Sequence, residues 1–238
     1  EDVELRPQLF DSKDEALTHV PVNKIRIFPG SNEANYTIIS AIDLNEYETA
    51  DMKVETYLGA GSGIYMSTEA IYMTAPVYIP IATSTNAMMD SSMLAMDSNT
   101  ALYKFTVEGT NIDMTARTTI EGSVLNQFSM DEYNGYLRVA TTTGNAWGSS
   151  RDSNNHLLVY DEKLNEVGKL TDLARGERIY SARFMGEKAY IVTFRETDPL
   201  FVIDVADPKN PAVLGELKIP GFSNYLHPLD DTHLMGIG

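Results

Sequence analysis

The chain has 238 residues, 43% of them hydrophobic, which is enough to bury a sizeable core in one all-β domain or two small ones and excludes disorder for its bulk. Asp plus Glu number 34 against 18 Lys plus Arg. The resulting net charge of -16 repels phosphate backbones and anionic membranes, so no nucleic acid is expected as a partner; its bland meaning is solubility. Cysteine is absent, which rules out disulfides, thiolate metal sites and cysteine nucleophiles.

No apolar run approaches the roughly 18 residues of a membrane span, so no membrane insertion by this segment is expected. The chain opens on Glu1-Asp2-Val3, which reads as a cut end rather than a natural start. Residues 1–21 are polar without a sustained period and read as an N-terminal arm or linker, leaving 22–238 as one β domain. Within it, Lys24 to Phe28 alternates as an edge strand and stops at Pro29-Gly30. Asn35 to Leu44 and Met52 to Leu58 read as strands ending on Asp43 and on the run from Gly59 to Gly63.

From there a four-strand unit repeats. The first copy is Ile64 to Ser67, Ala70 to Tyr78, Ala101 to Val107 and Ile112 to Ile120, and the second is Val124 to Ser129, Tyr136 to Thr142, His156 to Asp161 and Glu166 to Leu173. The third, Ile179 to Phe184, Ala189 to Phe194, Leu200 to Val205 and Ala212 to Ile219, carries the clearest turn punctuation: Gly186-Glu187-Lys188, Asp198-Pro199 and Asp207 to Pro211. The pattern restarts at Ser223 to His227 and His233 to Ile237. Glycines before each first strand (Gly61, Gly122, Gly176, Gly221) and apolar centres of each second strand (Ile71, Leu137, Tyr190, Leu234) draw together in step along the chain.

Antiparallel four-strand units recurring at roughly 40 to 60 residues predict an all-β fold, a β-propeller of four-stranded antiparallel blades. A β-sandwich, which has no fixed period, is the second choice. The blades run 22–60 (partial), 61–121, 122–175, 176–220 and 221–238 (partial): three whole blades between two halves. The halves either join into a composite blade or belong to an arc of a larger ring.

At GERIYSARFMGEKAYIVTF, DPLFVIDVADPKNPAVLGELKIPGFSNYLHPLDDTHLMGIG, KIRIFPGS and YTIISAIDL the chain resembles a family of secreted bacterial and archaeal proteins. Their C-terminal β-propeller domain is distantly related to WD-type repeats. The resemblance implies a secreted or cell-surface location and a propeller larger than this chain. It transfers no activity or catalytic residue.

In such a meander the loops from second to third strands, and the links between blades, emerge at one end. Two long insertions, 80–100 and 144–155, fall there beside Arg175. The first holds Met88, Met89, Met93 and Met96, a cluster able to bind Cu(I) through thioethers or to form an adaptable peptide surface; the plain alternative is a loop tucked on its own blade. The second holds Trp147, the only tryptophan, with Arg151. Trp147 stacks on a sugar or anchors a protein partner, or else caps the core.

Asp97-Ser98-Asn99 and Asp152-Ser153-Asn154 precede third strands at matching places. Oxygen-rich loops of this kind suit Ca²⁺, although the full EF-hand pattern is absent; the alternative is that Asp97, Asn99, Asp152 and Asn154 only fix the turns. Asp43, Asp161 and Asp204 read as turn residues. The four histidines form no metal-binding pair, and there is no nucleophile elbow or phosphate loop. These features point to a non-catalytic binding or scaffold domain, free of required cofactors, that engages a protein or glycan of the cell envelope. The other reading is a metal-dependent propeller enzyme, a hydrolase or lyase with its site near the central channel. Self-association through an uncovered terminal blade is also expected.

Overall fold

The structure, a computed structural model, describes residues 5–11, 15–31, 33–46, 52–59, 61, 63–77, 99–144, 152–194, 198–219 and 223–238. Among them there is no α-helix; the regular structure is β-strand with two short 3₁₀ turns. Residues 1–21 include a hairpin, β1 (Gln8–Asp11) paired with β2 (Ala16–His19). A leading sheet follows from β3 (Ile25–Ile27), β4 (Tyr36–Ala41) and β5 (Lys53–Leu58), in the order β3-β5-β4. The edge strand expected around Lys24 to Phe28 is β3, and it runs parallel to β5 rather than as part of a meander.

Three blades come next. Blade 1 is β6 (Gly63–Met66), β7 (Ala70–Val77), β8 (Asn99–Glu108) and β9 (Asn111–Ile120), in sequence order and antiparallel throughout. Blade 2 is β10 (Ser123–Val124), β11 (Met130–Tyr133), β12 (Tyr136–Thr143), β13 (Asn154–Tyr160) and β14 (Glu166–Leu173). Blade 3 is β15 (Arg178–Met185), β16 (Lys188–Phe194), β17 (Asp198–Asp204) and β18 (Ala212–Ile219). A half blade closes the chain with β19 (Tyr225–Pro228) and β20 (Leu234–Ile237).

One predicted strand needs correction. Val124 to Ser129 is not continuous: β10 ends at Val124, a 3₁₀ turn spans Gln127–Ser129, and β11 resumes on the same partner, β12. The cause is Asn126, whose side chain accepts the backbone N–H of Phe128 at 2.9 Å and so offers a local bond that competes with the ladder. The detour lifts Phe128 out of the strand.

The strands alternate, and in the middle of each blade both sides are apolar. Ile71, Met73 and Ala75, with Tyr103 and Phe105 of the same blade, face the leading sheet, where they meet Phe28 and Tyr57. Ala70, Tyr72 and Leu102, with the opposite parity, meet Leu137, Val139, Leu158 and Tyr160 of blade 2. Ala140, Leu157 and Val159 in turn meet Ala182, Phe184, Ile191 and Ile203 of blade 3. The core is therefore a series of seams between consecutive sheets, as blade packing requires. At the third seam Gly168 of β14 lies against the turn of blade 3; a Cβ there would collide with the Pro208 carbonyl oxygen.

Candidate functional site

The two ends of the stack are built differently. At one end, first strands turn into second strands and third into fourth, and side chains close the turns. Asp161 Oδ1 accepts the backbone N–H groups of Lys163 and Asn165, both at 2.9 Å, and these bonds together with the Asn165 amide hold its carboxyl below the ordinary range. Asp43 and Asp204 do the same for Asn45 and Ala206. These three aspartates are turn residues, as their positions predict.

The other end carries the connections from second to third strands and the links between blades. Its ordered base is made by blade 2. Asn155, fully buried, donates through Nδ2 to the carbonyls of Leu173 (2.9 Å), Ala174 (3.4 Å) and Glu177 (3.2 Å), and its Oδ1 accepts from Thr142 Oγ1 at 2.8 Å. Thr142 Oγ1 accepts from the backbone N–H of Ile179 in turn (3.3 Å). One amide thus ties the foot of β13 to the link that leads into blade 3. The end of β14 and that link bend through Asp172 and Ala174, both at positive φ, and Gly176 (φ 85), whose N–H donates to the Ser153 carbonyl at 2.8 Å. Gly122 serves the preceding link (φ 83), where a Cβ would press to 2.6 Å of the Thr142 carbonyl oxygen. These are two of the four repeat-marking glycines, and at these two the backbone angle is one that favours glycine.

Beside this base lies His156, 4% exposed. Its Nε2 bonds Thr143 Oγ1 at 2.9 Å, while Nδ1 and the neighbouring Thr141 Oγ1 are buried with no hydrogen-bond partner among the described residues. Burial pushes the imidazole below its ordinary value, against the pull of Glu121 and Asp172 and with the help of Lys169. A cleft of about 400 Å³ opens at the same end between the leading sheet and blade 1, lined by Pro29, Gly30, Ala75, Pro76, Tyr103 and Arg117.

Of the residues singled out in the sequence, Asn99, Asp152, Asn154 and Arg175 fall at this end. Asn99 and Asn154 open the third strands of blades 1 and 2, at the matching places the repeat assigns them. Asn99 Oδ1 accepts the Gly122 N–H at 3.4 Å, and Asn154 Nδ2 donates to Asp172 Oδ1 at 2.7 Å, so one amide ties a third strand to the chain after the fourth and the other ties a third strand to the end of the fourth itself. Asp152 and Arg175 are exposed. Met88, Met89, Asp97, Trp147 and Arg151 lie outside the described residues. Among the described residues no group of three His, Asp or Glu side chains converges as a metal centre would require.

Sequence reasoning passed over Asn155, His156 and Thr142. A signal was present: the strand expected at His156 to Asp161 opens on His156 directly after Asn154 and Asn155, three polar residues in a row, which a purely packed strand would not need.

Stacked four-stranded sheets, apolar on both sides and joined in chain order, define the chain as a β-propeller. The profile of the family described as Beta propeller domain matches residues 1–238, and the chain belongs to that family. It is 61% identical over 119 residues to an uncharacterized protein of Methanocaldococcus jannaschii, covering 50% of this chain and 19% of that relative. It is 48% identical over 139 residues to an uncharacterized protein of Archaeoglobus fulgidus, covering 58% of this chain and 21% of that relative. The chain matches about a fifth of the length of each.

Proposed function

We propose that this chain is part of a secreted or cell-surface β-propeller that binds a protein or glycan of the cell envelope through the end carrying the connections from second to third strands. The observation that supports this reading is the contrast between the ends. In blades 2 and 3 one end is closed by short turns pinned by Asp161 and Asp204. At the other, long stretches of sequence join β7 to β8 and β12 to β13, and the fixed amide network of Asn155 anchors the base of the second. Loops of variable composition on a rigid scaffold are where repeat proteins place their recognition surfaces. Trp147 and Arg151 belong to the second of these stretches and Arg175 stands beside it, supplying an aromatic face and two cations on an otherwise acidic chain.

The test is retention of the protein on isolated cell envelope and on a glycan array, before and after Trp147→Ala and Arg175→Ala. Trp147→Ala is expected to weaken retention about tenfold or more, as loss of an aromatic anchor does. A wild-type protein that binds nothing in both formats, or a Trp147→Ala variant that binds as well as wild type, contradicts the reading.

A further inference from the structure

In the leading sheet and at the seams between blades, cations lie over aromatic rings. Within the leading sheet Arg26 stands over Tyr57 and pairs with Glu55. At the second seam, between blades 1 and 2, Lys104 stands over Tyr72 with Glu132 Oε1 at 3.9 Å. Arg138, at the third, stands over Tyr133 and Phe184 and pairs with Asp131. The fourth member is Arg183 of β15, and among the described residues no carboxylate pairs with it.

Arg183 is nevertheless held firmly. Its guanidinium carbon lies 4.3 Å from the Phe128 ring centre and 5.3 Å from that of Tyr225, and the two rings meet edge to face at 5.3 Å. Nε donates to the Leu226 carbonyl and Nη2 to the Tyr225 hydroxyl, both at 2.9 Å. Nη1 has no acceptor among the described residues. A half-buried guanidinium fixed on three sides, with a donor left over and no counter-charge, is a preformed seat for an anion.

What faces it decides the kind of anion. Arg183 borders a pocket of about 430 Å³ formed where the first strands of blades 1, 2 and 3 come together, with Ile64, Met66, Phe128, Met130 and Phe184 in its wall. Ile64 and Met66 are 51% and 61% exposed, so the wall offers open apolar surface beside the polar groups of Tyr65 and Gln127. Asp131 also borders it, but its charge is met by Arg138. A phosphate or sulfate would find one cation and much hydrocarbon. A carboxylate attached to an apolar body would match both parts.

We propose that Arg183, with Phe128, Ile64 and Met66, forms a subsite at the inner rim of the propeller that takes a carboxylate joined to an apolar group, as at the C-terminus of a peptide ending in leucine. The carboxylate receives Nη1–H, and the side chain lies against Ile64, Met66 and Phe128. This subsite is separate from the loop-bearing end and stands or falls independently of it.

The experiment is calorimetric titration of the protein with N-acetyl-glycyl-leucine, its C-terminal amide and 4-methylpentanoate. Saturable binding of the free-acid peptide is expected, with the amide weaker by about tenfold or more, the factor that loss of one charge-assisted hydrogen bond gives. Binding of 4-methylpentanoate as tight as that of the peptide assigns the subsite to small organic acids, and weaker binding assigns it to peptide ends; both support the carboxylate seat. Arg183→Gln should abolish the preference for acid over amide. Because that change also loosens the half blade, Met66→Glu at the exposed wall is the second variant: it should remove binding with the urea midpoint unchanged. Equal affinity for acid and amide, an acid preference that survives Arg183→Gln, or no saturable binding by wild type overturns the proposal.

Discussion

Arg138 shows how far a residue's position can depart from what its neighbours in sequence suggest. It is a charged residue in the strand expected at Tyr136 to Thr142, between Leu137 and Val139, yet its side chain is 3% exposed. It pairs with Asp131, donates to the Gly186 carbonyl at 2.6 Å and stands over Phe184 of the next blade. Replacing it by methionine keeps the volume but strands a carboxylate and a carbonyl at the seam. A loss of about 3–5 kcal/mol in urea unfolding is expected. His156 acts through its proton. Because burial favours the neutral ring, the folded chain binds a proton less readily than the unfolded one. As pH falls below the unfolded value near 6.5, the unfolded chain protonates first and stability is lost. The urea midpoint should therefore drop between about pH 7.5 and pH 5.5, and His156→Gln should flatten that drop; an equal slope in the variant contradicts the assignment. Neither role was legible in the sequence, since both depend on which sheet comes to lie opposite.

At the scale of the element, much was legible. Runs rich in β-branched and aromatic residues between Gly, Pro and Asp turns predicted the strands of blades 1 and 3 to within a few residues, because the same residues that pack on a pleated surface also stop at turns. The first strand of blade 2 was misread because Asn126 supplies a local bond that hydrophobic pattern does not register. The parallel entry of β3 was not readable either, as strand direction is set by the path of the chain between strands rather than by their composition. Close approach was equally hidden. Gly168 sits in a strand of ordinary appearance, but its missing side chain is what lets the turn at Pro208 and Lys209 descend onto β14. Gly168→Ala places a carbon against backbone that cannot rotate away, and about 1–3 kcal/mol of destabilisation by overpacking is expected in thermal or urea melts. Wild-type stability in that variant would mean that blades 2 and 3 do not meet there.

Across the whole molecule, the seams carry the stability. Each sheet between two others is apolar on both sides, so its neighbours complete its core on either hand. Leu102 illustrates the consequence: it is fully buried against blade 2, while Tyr103, next in the same strand, is buried against the leading sheet. Leu102→Ala should cost about 2–5 kcal/mol, the range for a cavity in a packed core. The repeat spacing made this architecture legible; how many blades surround the axis is not a property of the three units seen here. The loop-bearing end was legible as a position, from the order of strands, whereas the amide network under it was not. The most direct measurement of the central claim is the amide NMR spectrum of residues 176–219 expressed alone. If blades hide their apolar faces only against one another, this blade by itself gives the narrow dispersion of an unfolded chain while residues 1–238 give a dispersed spectrum. A well-dispersed, monomeric blade 3 would contradict the account.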